Sequence, residues 1–197
     1  VAGFSGTATG ALELFSDGDF LMADFRAEDY NRQSFEGETL VLTNEPLPPP
    51  APEPTIEERR SKVLKRLTGK CSGAIYAGRD ISGKHYNFRE QAQSNIKGML
   101  IEIQNGKTTF LYGADVEALS THTAAQISEI GQVMGEWINV NTAYYEQLKI
   151  WVGRETDVAV LGGIDYGKRL PADLMQELAG LLGSVGIDVA EYGGMFV

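Results

Sequence analysis

The chain has 197 residues, 43% of them hydrophobic, with 17 Lys and Arg against 27 Asp and Glu, a formal charge of −10 and a pI of about 4.7. That length carries a real core in one domain, or in one domain with appendages. The charge argues against nucleic acid or a phosphate-rich membrane surface as the main partner, because polyanions select clusters of Lys and Arg.

Cys71 is the single cysteine, so no intramolecular disulfide forms, and with His85 and His122 it makes too small a set to enclose zinc. No apolar run approaches the roughly 20 residues that span a bilayer, so membrane insertion is not expected. Val1 to Gly10 has no basic start followed by an apolar stretch, and a product made in the cytosol is expected.

In chain order, Ala11 to Phe15, Asp19 to Phe25 and Thr39 to Thr43 read as strands between turn signals at Ser16-Asp17-Gly18 and Glu36-Gly37. Up to residue 55 there are ten Asp or Glu against two Arg. So short a segment rarely buries enough surface to stand alone, and a partner chain is expected to support it. Between Glu45 and Pro54 six prolines fix φ and remove amide donors, which favours an extended spacer.

Thr55 with Glu58 three residues on is a capping box, and a helix is expected to start there. Ile56, Val63, Leu64, Leu67, Cys71 and Ile75 form its buried stripe. Arg59, Arg60, Lys62, Lys65 and Arg66 read as a solvated face steadied by Glu57 and Glu58, with docking of an acidic partner as the alternative. Ile81 to Asn87 reads as a hairpin turning at Gly83-Lys84, and Asn87 with Glu90 as the cap of a second helix running to about Gln104. That helix buries Ala92, Ile96, Met99, Leu100 and Ile103, and Asn105-Gly106 is read as the cap that ends it.

Lys107 to Tyr112 and Asp115 to Leu119 are expected to pair across Gly113-Ala114. Thr121 or Thr123 then caps a long helix toward Trp151, buried through Ile127, Ile130, Val133, Met134, Trp137, Ile138, Tyr145, Leu148 and Trp151. Leu174, Met175, Leu178, Leu181, Leu182 and Val185 mark a last helix from Pro171, in its first turn, to a stop at Gly183. The tail from Ile187 to Val197 is expected to be irregular.

The residues do not assemble a catalytic constellation. A nucleophile needs a base and an orienting group, and the two histidines fall in a hairpin and at a helix start. Cys71 reads as a small core residue. Asp17, Asp19 and Asp24 lack the ligand spacing of a calcium loop. Gly3-Phe4-Ser5-Gly6 and Gly162-Gly163-Ile164-Asp165-Tyr166-Gly167 read as turns rather than as a nucleophile elbow or a dinucleotide loop. Trp137, Tyr144, Tyr145 and Trp151 read as core rather than as a stacking platform. No catalytic, cofactor-binding or metal-binding residue is assigned, and no cofactor is expected.

Pro54-Thr55-Ile56-Glu57-Glu58-Arg59-Arg60 after a proline spacer, Ala74-Ile75-Tyr76-Ala77-Gly78, and Tyr86-Asn87-Phe88 leading to Gln93-Ser94-Asn95-Ile96 occur in this order. Leu119-Ser120-Thr121, Ala124-Ala125-Gln126-Ile127 and Tyr145-Glu146-Gln147-Leu148 follow. Together they make the segment from Thr55 to Trp151 resemble the family named domain of unknown function 4376. The family occurs in tailed phages and prophages, often among tail and tail-fibre genes. The resemblance implies a structural virion protein in or near the tail fibre or tail tip, with other virion proteins and further copies of itself as partners, and it carries over no catalytic residues. A non-virion fibre-assembly chaperone and a hydrolase of cell-surface glycans are the alternatives. Gln93, Asn95 and Gln126 are expected to satisfy backbone groups of neighbouring loops.

The expected fold is α+β: a small helical domain with short β-hairpins, preceded by a small β-rich segment and a Pro-rich linker. Its divisions are a β-rich attachment or oligomerisation segment at 1–45, a linker at 46–54, an α+β interaction domain at 55–153, and a C-terminal extension at 154–197 with one amphipathic helix over about 171–183.

Overall fold

The computed structural model describes residues 52–115 and 117–195, together with the backbone of four strands between residues 3 and 43. The chain divides into two compact units, Val1–Glu53 and Pro54–Val197. The break falls at the end of the proline run.

In the first unit, β1 (Gly3–Gly6), β2 (Ala11–Phe15), β3 (Arg32–Glu36) and β4 (Thr39–Thr43) form an antiparallel sheet in the order β1-β2-β4-β3. β2 and β4 lie at the bounds expected from apolar residues between turn signals. Gly3 to Gly6 is a strand and not a turn, with Phe4 opposite Leu14. β3 has no expected counterpart, and its pairing of Glu36 with Thr39 leaves a two-residue connection at the Glu36-Gly37 turn signal. The strand expected at Asp19 to Phe25, the turn at Ser16 to Gly18 and the cluster Asp17, Asp19 and Asp24 lie outside the described residues, as does most of the linker.

The second unit begins at the expected cap. The Thr55 hydroxyl accepts the Glu58 amide at 3.2 Å, the Glu58 carboxylate accepts the Thr55 amide at 2.7 Å, and α1 runs Ile56–Ala77 with Val63, Leu67 and Cys71 buried. A hairpin follows, β5 (Arg79–Ile81) with β6 (Lys84–Tyr86). It turns at Ser82-Gly83, one residue before the expected Gly83-Lys84, because both central residues adopt positive φ (50° and 79°).

Helix α2 (Glu90–Gln104) is capped by Arg89 without a side-chain bond. Asn87, the expected cap, is two residues too early. Its carboxamide oxygen accepts the Arg89 amide and its nitrogen donates to Asp115. At the other end Asn105-Gly106 caps the helix as expected: Gly106 donates to Ile103 and Lys107 to Glu102, with Gly106 at φ 89°.

β7 (Thr109–Tyr112) pairs with β8 (Ser120–Thr123), with Tyr112 opposite Ser120. The expected partner, Asp115 to Leu119, lies in the connection instead, where Asp115 is occupied by Asn87 and by the His85 carbonyl. Thr123 and Gln126 form a second capping box, which opens α3 (Ala124–Arg154). Replacing Thr123 with Ala should lower stability by about 1 kcal/mol, read as a shift of the urea midpoint with an unchanged slope.

Helix α3 is the spine of the unit. Ile127, Ile130 and Met134 on its first half close one core with Ile81, Tyr86, Phe88, Ile96 and Phe110. Val140, Tyr144, Leu148 and Val152 on its second half close another with α1, and Trp137 packs against both.

The second core draws heavily on the last 44 residues. These form α4 (Val158–Gly163), α5 (Ala172–Gly183) and a 3-10 helix (Val189–Met195), and they bury Leu161, Ile164, Leu170, Leu174, Leu178 and Leu182. Residues 154–195 are therefore part of the body and not an extension of it. Pro171 stands at the N-cap of α5, one residue before the first turn. Gly183 stays helical, and Gly186 at φ 79° supplies the left-handed cap, with Ile187 bonded back to Leu182 at 3.0 Å. The tail expected to be irregular is ordered as the 3-10 helix because Tyr192 and Ile187 are buried.

The basic face of α1 is only partly solvated. Arg60 pairs with Glu57 at 2.6 Å, but its other guanidinium nitrogen donates to the Glu155 carbonyl at 2.8 Å. Arg66 donates to the Ile164 carbonyl at 2.6 Å, and Lys70 pairs with Asp165 at 2.6 Å. Long cationic side chains thus satisfy carbonyls left open at the ends of α3 and α4. The Lys70 ammonium, followed by other local contacts, holds the Asp165 carboxyl below its ordinary range.

Candidate functional site

A cleft of about 400 Å³ opens in the second unit beside the β5–β6 hairpin, lined by Gly78, Arg79, Asp80, His85, Trp137, Glu191, Tyr192, Gly194 and Met195. Three distant parts of the chain meet there: the exit from α1, the middle of α3 and the 3-10 helix.

Gly78 sets the geometry. Its φ is 77° and its ψ −158°, a conformation open only to glycine. A Cβ on it would lie 1.9 Å from the Tyr86 carbonyl oxygen. The chain thus passes directly from helix into β5, and Arg79 pairs with Tyr86 as the first strand residue.

The Arg79 guanidinium lies over two neighbouring rings, 5.0 Å from the Trp137 centroid and 5.2 Å from that of Tyr192. Those rings are 6.3 Å apart and tilted by 31°. Trp137 is fixed by its indole N–H, which donates to the Ala74 carbonyl at 3.0 Å. Tyr192 is buried, and burial, with Glu136 and Glu191 adding to it, raises its phenol pKa above the ordinary value. Among the described residues no acceptor bonds the Arg79 guanidinium.

His85 forms the rim. Its Nε2 bonds the Ala77 carbonyl at 2.7 Å, an acceptor, so that nitrogen carries a hydrogen, and its Nδ1 meets the Asp80 carboxylate at 2.7 Å. Both ring nitrogens face acceptors, which favours the imidazolium. The Asp80 hydrogen bond and then the Ala77 carbonyl raise the pKa of His85 above its ordinary value. A raised folded pKa means the stabilising contacts are fully present below the unfolded value of about 6.5 and are lost as pH rises through the folded value. In a titration followed by imidazole proton NMR, His85 should titrate above 6.5, and Asp80→Asn should bring it back toward that value.

His122 is placed differently. It is buried at 6% exposure and meets Tyr86 and Tyr112 edge-on, and those two rings stack 6.0 Å apart at 2°. Its Nδ1 is 3.1 Å from the Ser120 carbonyl, which can only accept, and its Nε2 is 3.2 Å from the Tyr86 hydroxyl. Cys71 is core as expected, with its thiol 3.6 Å from the Asn141 carbonyl and its pKa pushed up by burial. Asn141, fully buried, is satisfied by the Trp137 carbonyl and by the Tyr166 hydroxyl at 2.6 Å.

The aromatic residues expected in the core are there: Tyr144 is fully buried, and Trp137, Tyr145 and Trp151 pack against it or its neighbours. Gln93 donates to the Phe88 carbonyl at 2.7 Å, and Gln126 accepts the Thr123 amide at 2.8 Å, the loop and cap roles expected of them. Asn95 instead accepts from Gln91 on its own helix.

Among the described residues no group of three or more His, Cys, Asp or Glu side chains could hold a metal ion, and no helix is long and apolar enough to cross a membrane. The Arg79 cleft has no counterpart in the sequence reading. Gly78-Arg79 gives a helix stop followed by a cation, but nothing in the sequence ties residue 79 to residues 137 and 192.

No curated protein and no solved structure matches the chain. The model of one family, Domain of unknown function (DUF4376), matches residues 58–167. The match reaches past Trp151 to take in α4 and Asp165, the elements that α1 clamps through Arg66 and Lys70. Matched over more than half its length, the chain belongs to this family.

Proposed function

We propose that this chain is a structural protein of a tailed phage or prophage particle, in or near the tail fibre or tail tip, working as an attachment or adaptor module. The observation that carries the reading is the family membership, joined to the tail-gene setting in which the family occurs. The division at Glu53 supports it: a small acidic sheet on one side of a proline spacer and a helical body on the other suit an anchor and a presented module. β1 and β3 stand at the edges of that sheet, where a partner strand can add.

The chemistry of the second unit favours binding over catalysis. Both ring nitrogens of His85 and of His122 are engaged, and the one thiol is buried. Leu111, Leu119 and Val185 are 70%, 71% and 62% exposed, individual apolar side chains that suit contacts with other virion proteins or with further copies of the chain.

Mass spectrometry of purified particles tests the proposal. The chain should be recovered at a stoichiometry comparable with other tail proteins. Recovery with fibre subunits in lysates, but not in particles, would replace the proposal with an assembly chaperone. Light scattering should give a mass above that of one chain.

A further inference from the structure

We propose that the cleft beneath the β5–β6 hairpin binds a carboxylate carried on an apolar group, with the Arg79 guanidinium as its anchor. The inference does not depend on where the chain is assembled.

The starting observation is a guanidinium whose donors no described residue engages. A guanidinium presents N–H donors in a planar fork that matches a carboxylate two at a time. At Arg79 the cation rests over Trp137 and Tyr192, so the rings hold the plane in place and supply no in-plane acceptor. No carboxylate or carbonyl of the described residues takes those donors, although Asp80, Glu191 and Glu136 are near. Asp80 is committed to His85, and Glu136 accepts from Gln132 at 2.9 Å.

Position is also restricted. Gly78 and the pairing of Arg79 with Tyr86 fix the backbone, and the Ala74 carbonyl fixes Trp137. An anchor held this way loses little freedom when a ligand arrives.

The remaining lining selects the ligand. Trp137, Tyr192 and Met195 give an apolar wall, and about 400 Å³ is the size of a small-molecule or single-residue pocket. Arg79 shares the lining with His85 and with the carboxylates Asp80 and Glu191, so the site carries no large excess of positive charge. A monoanion is accommodated there at lower cost than a dianion, which favours a carboxylate over a phosphate. The two sources of such a group are a free apolar acid and the C-terminal residue of a partner chain.

The test uses the full chain with Trp151→Phe, which leaves Trp137 as the one tryptophan. Its fluorescence is followed at constant ionic strength against N-acetyl-L-leucine, N-acetyl-L-leucinamide and inorganic phosphate. The acid should give a saturable change, the amide none, and phosphate binding at least tenfold weaker. A tripeptide ending in leucine with a free carboxylate that binds tenfold more tightly than the single acid identifies a chain terminus, and equal binding identifies a free acid. Arg79→Lys, checked by circular dichroism, keeps the charge without the fork and should weaken the acid at least tenfold. No saturable change with the acid, equal binding of acid and amide, or phosphate as tight as the acid would each overturn the proposal without any variant.

Discussion

A chain ending at Gly153 should not fold its second unit. The last segment buries Leu161, Ile164, Leu170, Leu174, Leu178 and Leu182 against Val63, Leu67, Val140, Tyr144, Leu148 and Val152. Each such side chain contributes about 2 kcal/mol on burial. Their combined loss matches or exceeds the roughly 5–15 kcal/mol by which a whole domain is stable. Polar ties go with them: the Tyr144 hydroxyl donates to the Lys168 carbonyl at 2.5 Å, and Tyr166 satisfies the buried Asn141. Circular dichroism and urea titration of 54–153 beside 54–197 check this. The longer piece should melt cooperatively, and the shorter should show no cooperative transition. A cooperative transition in the shorter piece would mean that α1, α2 and α3 form a core of their own.

Gly78→Ala should cost about 3 kcal/mol or more, a large effect for the addition of one methyl group. A non-glycine residue at this φ and ψ is strained by about 1–3 kcal/mol. The new Cβ would also meet the Tyr86 carbonyl oxygen at 1.9 Å, a backbone atom that cannot swing away. Relief requires the hairpin to move off the end of α1, which breaks the Phe88 amide bond to the Tyr76 carbonyl and loosens the His85 contact with the Ala77 carbonyl. Thermal unfolding should show the loss, and the His85 resonance should titrate closer to its ordinary pKa in the same variant. Gly73→Ala, on the open face of α1 with nothing within 4 Å of its Cβ, is the control and should be neutral or mildly stabilising.

How far the sequence predicted this structure depended on how local each determinant is. The caps at Thr55 and Thr123 were legible because each is a contact between residues three apart. The stripes of α1 and α3 were legible because one helical period repeats along each of them. That of α5 was legible at Leu174, Leu178 and Leu182, whereas Leu181 and Val185, expected on the same stripe, face outward. The cap of α2 was misplaced because Asn87 is claimed by Asp115, 28 residues away. β8 was misplaced because Gly113-Ala114 resembles a tight turn, while the pairing that forms joins Tyr112 to Ser120 over a longer connection. The same reasoning explains the C-terminal segment. Only its α5 stripe carries a period, and the short α4 and the 3-10 helix are held by tertiary burial of Leu161 and Tyr192. The Arg79 cleft was not legible, since it is made by residues 79, 137 and 192, each of which has an ordinary local role.

The cation placed on a solvated helix face is a further instance. Arg60 and Arg66 look like the outer side of an amphipathic helix, and their spacing supports that reading, while Lys70 one turn on shares their fate. Their acceptors are carbonyls and a carboxylate at residues 155 to 165, about 95 positions further along the chain.

The tail-region assignment is tested most directly by locating the chain on the particle. Particles carrying an epitope tag on this chain, labelled with gold-conjugated antibody and viewed by electron microscopy, should show label at the fibre or tail-tip end. Label on the capsid, or particles of normal infectivity with none at all, would contradict the account.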